Sequence, residues 1–394
     1  MKKNIVKMII SVFACLCLVG CQKPPEQVVE NMKEYGQNEQ VEEETEITYC
    51  SASELKDTDV KSIVDKYDVN IPDNIDFSAI EEISELTVKY KENFVAENEK
   101  KYADLFGFDI SNLKEIGSNR VGGLIKQGDD EEKKIHYGIG DNGFLAYMSG
   151  HWFDESIESN VEKRYDILKE DISNVSIDSD EEIISLSDLC KENEEWFNKN
   201  IGTSTLTYNV TDALVREIKY ESETVKKISL CGEFNYKGIY FNNHLYNVIE
   251  SNDGTYKTIV TNAIMSEYED GDTMVRFTVN NNLFEIIDSK KIDRVVDFES
   301  AVRIVEEKLA SFNQFEFCDV RPLYIMETIS DDSGNIDPSA PGMEIVAKPV
   351  YAFLEKGNLS YDELPDDIVI ALNKYNRFVY VDMVTGELVT DIGK

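Results

Sequence analysis

The stretch Ile183-Ile184-Ser185-Leu186 leads into Asp188, Leu189, Cys190 and later Phe197. At a constant offset, Val295-Val296-Asp297-Phe298 leads into Ser300, Ala301, Val302 and later Leu309. Each copy sets two β-branched residues before a residue able to cap a helix, Ser185 or Asp297, and then places apolar residues at helical spacing. In the second copy Phe298, Ala301, Val302, Val305, Leu309 and Phe312 fall on one face; the first copy is poorer, with Asn193 where Val305 stands. Strand-like segments follow each helix. After the first come residues 206–208, 225–234, 262–269 and 273–279; after the second come 320–329, 345–354 and a hairpin over 377–388 that turns at Thr385-Gly386. A helix followed by antiparallel strands, used twice, predicts an α+β fold. Its tandem modules each pack a helix on an antiparallel sheet, and no doubly wound parallel sheet is expected.

This pattern divides the chain. Residues 181–294 and 295–394 are the two expected modules, and 56–180 an N-terminal α+β region. That region carries short helices over 59–67 and 93–106, and strands over 134–138 and 143–148 joined by the turn Gly140-Asp141-Asn142-Gly143. Residues 21–55 are polar and acidic, with Pro24-Pro25 and Glu42-Glu43-Glu44 and no apolar periodicity. They read as a disordered tether, able to reach roughly 30 Å. Residues 1–20 combine Lys2, Lys3 and Lys7 with the apolar run 8–19. That is the make-up of a secretory signal, and the run falls short of the roughly 20 residues that span a bilayer.

Two resemblances follow from these residues. Leu18-Val19-Gly20-Cys21 resembles the lipobox of bacterial lipoproteins. The resemblance implies cleavage between Gly20 and Cys21, a diacylglycerol on the Cys21 thiol, a palmitate-type acyl anchor, and residence at the extracytoplasmic face of the cell membrane. Two acyl chains suit stable anchoring, since one binds only marginally. In the C-terminal half, the order of helix and strands is joined by Lys348-Pro349-Val350-Tyr351-Ala352-Phe353 and Tyr380-Val381-Asp382-Met383-Val384-Thr385-Gly386-Glu387-Leu388. This half is similar to PepSY-type modules, to the sheet repeats of the YycH and YycI regulators, and to uncharacterised clostridial lipoproteins. Those families imply binding rather than catalysis, and no catalytic residue carries over. The resemblance points to a contact surface near Tyr351, Phe353, Tyr380, Thr385 and Gly386, although aromatics of this kind lie in a core more often than at an interface.

Charge and motifs narrow the function further. With 77 acidic against 40 basic residues and a formal charge of −37, the chain repels nucleic-acid backbones and anionic lipid surfaces. Any hold on the membrane therefore falls to the lipid on Cys21. Once the leader and Cys21 are set aside, Cys50, Cys190, Cys231 and Cys318 remain, and their spacing does not choose between disulfides and buried thiols. His136, His151 and His244 share no helical spacing, and HExxH, GxSxG and a phosphate-cradling GxxxxGK[ST] loop are absent, so no cofactor is expected. Asp331, Ser333, Asn335 and Asp337 have the alternate spacing of a calcium loop. Ile336 stands where that loop turns on Gly, and Gly342 where it ends on Glu, so an ordinary polar loop is favoured. His151-Trp152-Phe153 reads as core packing before it reads as a contact. The expectation is a non-enzymatic, lipid-anchored binding or regulatory module with a protein partner at the envelope. A transporter's solute-binding lipoprotein and a secreted hydrolase stay open as alternatives.

Overall fold

A computed structural model describes residues 47–118, 124–130, 133–149, 161–168, 176–178, 183–220, 223–242, 247–250, 256–260, 264–271, 273–279, 283–309, 316–330, 340–356 and 375–390. The lipobox with Gly20 and Cys21, the loop carrying Asp331, Ser333, Asn335 and Asp337, the 151–153 aromatics, His244 and Phe312 lie outside them.

The described helices are α1 (Ala52–Lys56), α2 (Val60–Val64), α3 (Phe94–Leu105), α4 (Leu186–Asn200) and α5 (Phe298–Leu309). The strands are β1 (Tyr49–Cys50), β2 (Ser84–Tyr90), β3 (Lys114–Ser118), β4 (Leu124–Asp130), β5 (Lys133–Ile139), β6 (Leu145–Ser149), β7 (Val161–Leu168), β8 (Ser176–Asp178), β9 (Ile183–Ser185), β10 (Thr207–Tyr220) and β11 (Glu223–Tyr236). They continue as β12 (Ile239–Phe241), β13 (Asn247–Glu250), β14 (Tyr256–Val260), β15 (Ile264–Glu269), β16 (Thr273–Val279), β17 (Phe284–Lys291), β18 (Val295–Val296), β19 (Phe317–Ser330), β20 (Glu344–Lys356), β21 (Tyr375–Asp382) and β22 (Leu388–Thr390). The protein is α+β, with few helices on a large, mainly antiparallel sheet.

That sheet has two wings. In the first, the order β3-β4-β5-β6-β16-β15-β11-β10-β7 is antiparallel at every step. In the second, β19 lies against β20, whose far edge carries β2 along 344–347 and β21 along 350–356. Strand β17 flanks β2, β22 flanks β21, and β14 then β13 flank β19. Strand β12, the hairpin return of β11, joins the wings by pairing parallel to β19. The pairings branch at β11, β19 and β20 and, among the described residues, never return on themselves, so these strands form an open, branched sheet, with β1–β18 and β8–β9 as separate antiparallel pairs. Segments 56–180, 181–294 and 295–394 all contribute to it, and residues 47–394 cluster as one unit.

Local chemistry explains the helix starts. Ser185 accepts the Asp188 N–H at 3.3 Å, and Asp297 accepts the Ser300 N–H at 2.7 Å. Helix α5 buries Phe298, Ala301, Val302, Val305 and Leu309 over the second wing, as its spacing predicts. Phe298 meets Phe77 at 5.2 Å and Tyr351 at 5.8 Å between ring centroids. Helix α4 packs on the first wing through Leu186, Leu189 and Phe197, with Phe197 stacked on Tyr208 at 4.2 Å.

Asn193 is the polar exception on that face, and it is fully engaged. Its amide donates to Tyr268 Oη at 2.8 Å, and its oxygen accepts from the Tyr208 hydroxyl at 3.1 Å. An apolar position has become the keystone of a buried tyrosine pair. Asn193→Ala should cost about 1–3 kcal/mol, because it strands two buried hydroxyls. Thermal melting will show this, and an unchanged midpoint would mean that the tyrosines find other partners.

The expected tether is corrected at its C-terminal end. Residues 47–55 are folded onto α5, not free. Strand β1 pairs with β18, Asp297 donates its N–H to Thr48 O at 3.0 Å, and Thr48 donates its own to Ser300 Oγ at 3.1 Å. Ser51 and Glu54 form a reciprocal capping box that starts α1, and Leu55 enters the core.

Candidate functional site

Where β19, β20 and β21 pair, both faces of the second wing are closed. Towards α5 lie Tyr351 and Phe353; on the opposite face Leu323, Ile325, Val350, Leu354, Phe378 and Tyr380 form a second apolar cluster. The expected contact surface is therefore corrected: Tyr351 and Phe353 are 0% exposed and Tyr380 is 1% exposed. Alternation along β20 directs Tyr351 and Phe353 inwards, where Tyr351 donates to Val296 O at 2.7 Å and burial holds its phenol far above the ordinary value. Thr385 remains exposed. Gly386 is half-buried at φ +73°, and a Cβ there would meet Ile47 Cδ1 at 2.8 Å, so the turn is part of the packing with residue 47.

The first wing is closed by a different chemistry. The face away from α4 carries Arg216, Lys227, Ser229, Glu267 and Arg276, all nearly inaccessible. Glu267 lies at their centre. It pairs with Arg216, lies 3.6 Å from Lys227 Nζ, and accepts from Ser229 Oγ at 2.8 Å. Burial pushes its carboxyl up; the attraction of Arg216, then Lys227 and Arg276, outweighs that and holds it below the usual glutamate value. These groups are consumed by one another, which suits a structural network and not an open catalytic site.

Nor do Cys50 and Cys190 offer a nucleophile. Burial, reinforced by Asp297 and Glu54, pushes Cys50 up to about 11, and burial with Glu194 pushes Cys190 up to about 12. Both stay protonated and inert near neutral pH. No disulfide joins Cys50, Cys190, Cys231 or Cys318. Burial lowers the pKa of His136, so it is neutral. A shallow cleft of about 320 Å³ between α2 and α5 is lined by Cys50, Asp59, Ser62, Lys66 and Asp297 among others. Its polar groups are engaged: Asp59 caps α2, Asp297 caps α5, and Lys66 pairs with Glu299 at 3.1 Å. Among the described residues there is no group of three or more His, Cys, Asp or Glu arranged for a metal, and no helix long and apolar enough to cross a membrane.

What lies open is one corner of the second wing. Strand β17 pairs with β2 on one side and, among the described residues, with no strand on the other. Its residues Glu285 and Ile287 to Lys291 are exposed. A register shift between Ile286 and Asp288 makes Ile287 a bulge, 45% exposed. Across the outer face run Glu344, Lys89 and Glu285 in one row, and Val346 (41% exposed), Thr87 and Asp288 in the next. Glu85 and Lys290 follow. Ion pairs rim the corner, Lys91 to Glu285 at 2.7 Å and Lys89 to Glu92 at 2.9 Å. A sheet edge with free backbone groups, exposed β-branched side chains and a charged rim can accept an extended segment of another chain. Sequence reading passed over both strands, although the alternation Ser84-Glu85-Leu86-Thr87-Val88-Lys89-Tyr90 marks β2 as half-buried.

No family model matches this chain, and no curated protein matches it. Among solved structures it is similar to an uncharacterised protein from Eubacterium rectale ATCC 33656, with 11% identity and a TM-score of 0.49, over 82% of this chain and 88% of that one.

Proposed function

We propose that the chain is a non-catalytic lipoprotein, tethered through Cys21 to the outer face of a cell membrane, that works by holding a protein partner at the envelope. The observation that carries this reading is the contrast between a closed interior and an open sheet edge: Glu267 and its cations are buried and paired, while β17, together with Glu344 and Val346 at the start of β20, is exposed. Solute binding would call for a deep apolar pocket with a few converging polar groups, and the cleft between α2 and α5 is shallow with its polar groups engaged. The PepSY-like C-terminal order of elements supports binding over turnover, and the acidic surface disfavours nucleic acid.

Two experiments test it. A photo-crosslinking residue at position 287 of the full chain should give a protein adduct in native membranes, and the same residue at exposed Lys61 should give none. Absence of any adduct at 287 would remove the contact reading. Separately, Cys21→Ala should move the chain out of the membrane fraction, and mass spectrometry of the wild type should find diacylglycerol on Cys21. A variant still held by membranes, with no lipid on the wild-type cysteine, would refute the anchor.

A further inference from the structure

The open edge has a symmetry that selects its partner. On β2, Lys89 faces Glu285 and Glu85 faces Lys290. Residues 89 and 85 are four apart on a regular strand and so share a face. Glu285 and Lys290 therefore also share a face, although they are five apart on β17. The bulge at Ile287 makes this possible, because an extra residue resets the alternation. The same holds for Phe284 with Lys291 and for Ile286 with Ser289, whose partners on β2 all face the opposite way. The face pattern of β17 is thus two-fold about the midpoint between Ile287 and Asp288, and the equivalent positions 285 and 290 carry opposite charges.

We propose that two copies of this chain pair antiparallel along the free edge of β17, so that the partner at this edge is a second copy; the proposal rests on the reading of this corner as a protein contact. In that register Glu285 lies opposite Lys290 of the second copy, and Lys290 opposite its Glu285. The outer-face row then reads Glu344, Lys89, Glu285, followed by Lys290 and Glu85 of the other copy, alternating in sign throughout. In this register Ile287, the exposed apolar residue of the strand, lies opposite Asp288 of the second copy, with its own symmetry mate one residue away along the partner strand. Shifting the register by one residue either way sets Asp288 against Asp288 or takes Glu285 away from a lysine. Each chain carries a formal charge of −37, which opposes association at long range. That field is screened beyond about 8 Å at physiological ionic strength, whereas the edge charges act in contact.

The test uses two differently tagged full-length chains, co-expressed and recovered from membranes in mild detergent. Wild-type copies should co-purify. Lys290→Glu in both copies, or Glu285→Lys in both, sets like charges opposite one another at two places and should cut co-purification roughly tenfold. A Lys290→Glu copy expressed with a Glu285→Lys copy restores both opposite-charge pairs and should recover it, which also shows that each variant folds. The proposal is overturned if wild-type copies do not co-purify, if the single reversals change nothing, or if the mixed pair fails to recover. Photo-crosslinking at position 287 separates the two levels. A self-adduct is the expected result. An adduct to a different protein alone overturns the pairing and leaves the contact reading standing, and no adduct overturns both.

Discussion

Val305→Asp is expected to unfold the C-terminal part of the sheet, lowering stability by about 3 kcal/mol or more. Val305 is fully buried at the centre of α5's inner face, with Ala301, Val302 and Leu309 beside it. A carboxylate there loses its hydration and meets apolar neighbours, and it also removes a methyl-bearing side chain from a packed layer. The helix cannot turn the residue outwards, because its neighbours on the same face would then leave the core with it. Lys308, on the exposed side of the same helix, is the control: Lys308→Ala should move the melting midpoint little. Thermal melting followed by circular dichroism compares the two. Equal midpoints for Val305→Asp and wild type would mean that α5 is not seated on the sheet.

Val305 also shows why part of the fold is legible in sequence. Helix α5 announces itself because its stripe is local: cap, apolar positions and exposed positions all lie within a few turns. Helix α4 announces itself less well, because Asn193 interrupts the stripe with a role that depends on Tyr208 and Tyr268, one of them far along the chain. Strand β2 is harder still. Its alternation is regular, yet its meaning depends on β17 and β20, which are remote in sequence and supply both neighbours. The start of the folded unit was hidden by composition, since Thr48, Ser51 and Glu54 act through hydrogen bonds and Leu55 alone of α1 is buried. The resemblance points to Tyr351, Phe353 and Tyr380 as a contact surface, and the alternation along their strands does not tell that both faces are covered. The open corner was missed for a related reason: the self-complementarity of Glu285 and Lys290 depends on a bulge, and bulges are set by register against the partner strand.

Replacing Glu267 is expected to be as damaging as Val305→Asp, and its effect should depend on pH. Nothing local in the sequence singles out Arg216, Lys227, Glu267 and Arg276; aligned by β10, β11, β15 and β16 they meet in the interior. Glu267→Ala leaves Arg216, Lys227 and Arg276 short of their shared anion, and breaking a buried pair from one side costs about 3–5 kcal/mol. Glu267→Gln keeps the shape and part of the hydrogen bonding, so it should cost less, and the difference between the variants separates packing from charge. The pH dependence follows from the direction of the shift. The folded state holds the Glu267 carboxyl below its unfolded value of about 4.3, so the folded state favours the ionised form. Its contribution is therefore fully present above that value and fades as pH falls through the lower, folded value. Many other acids titrate in the same window, so the wild-type slope alone decides nothing. Subtracting the melting midpoints of Glu267→Gln from those of the wild type isolates this residue. The gap should be wide and flat near neutral pH and narrow once pH drops below about 4. A gap that stays constant to low pH, or widens, would mean that Glu267 is not held ionised by the cations around it.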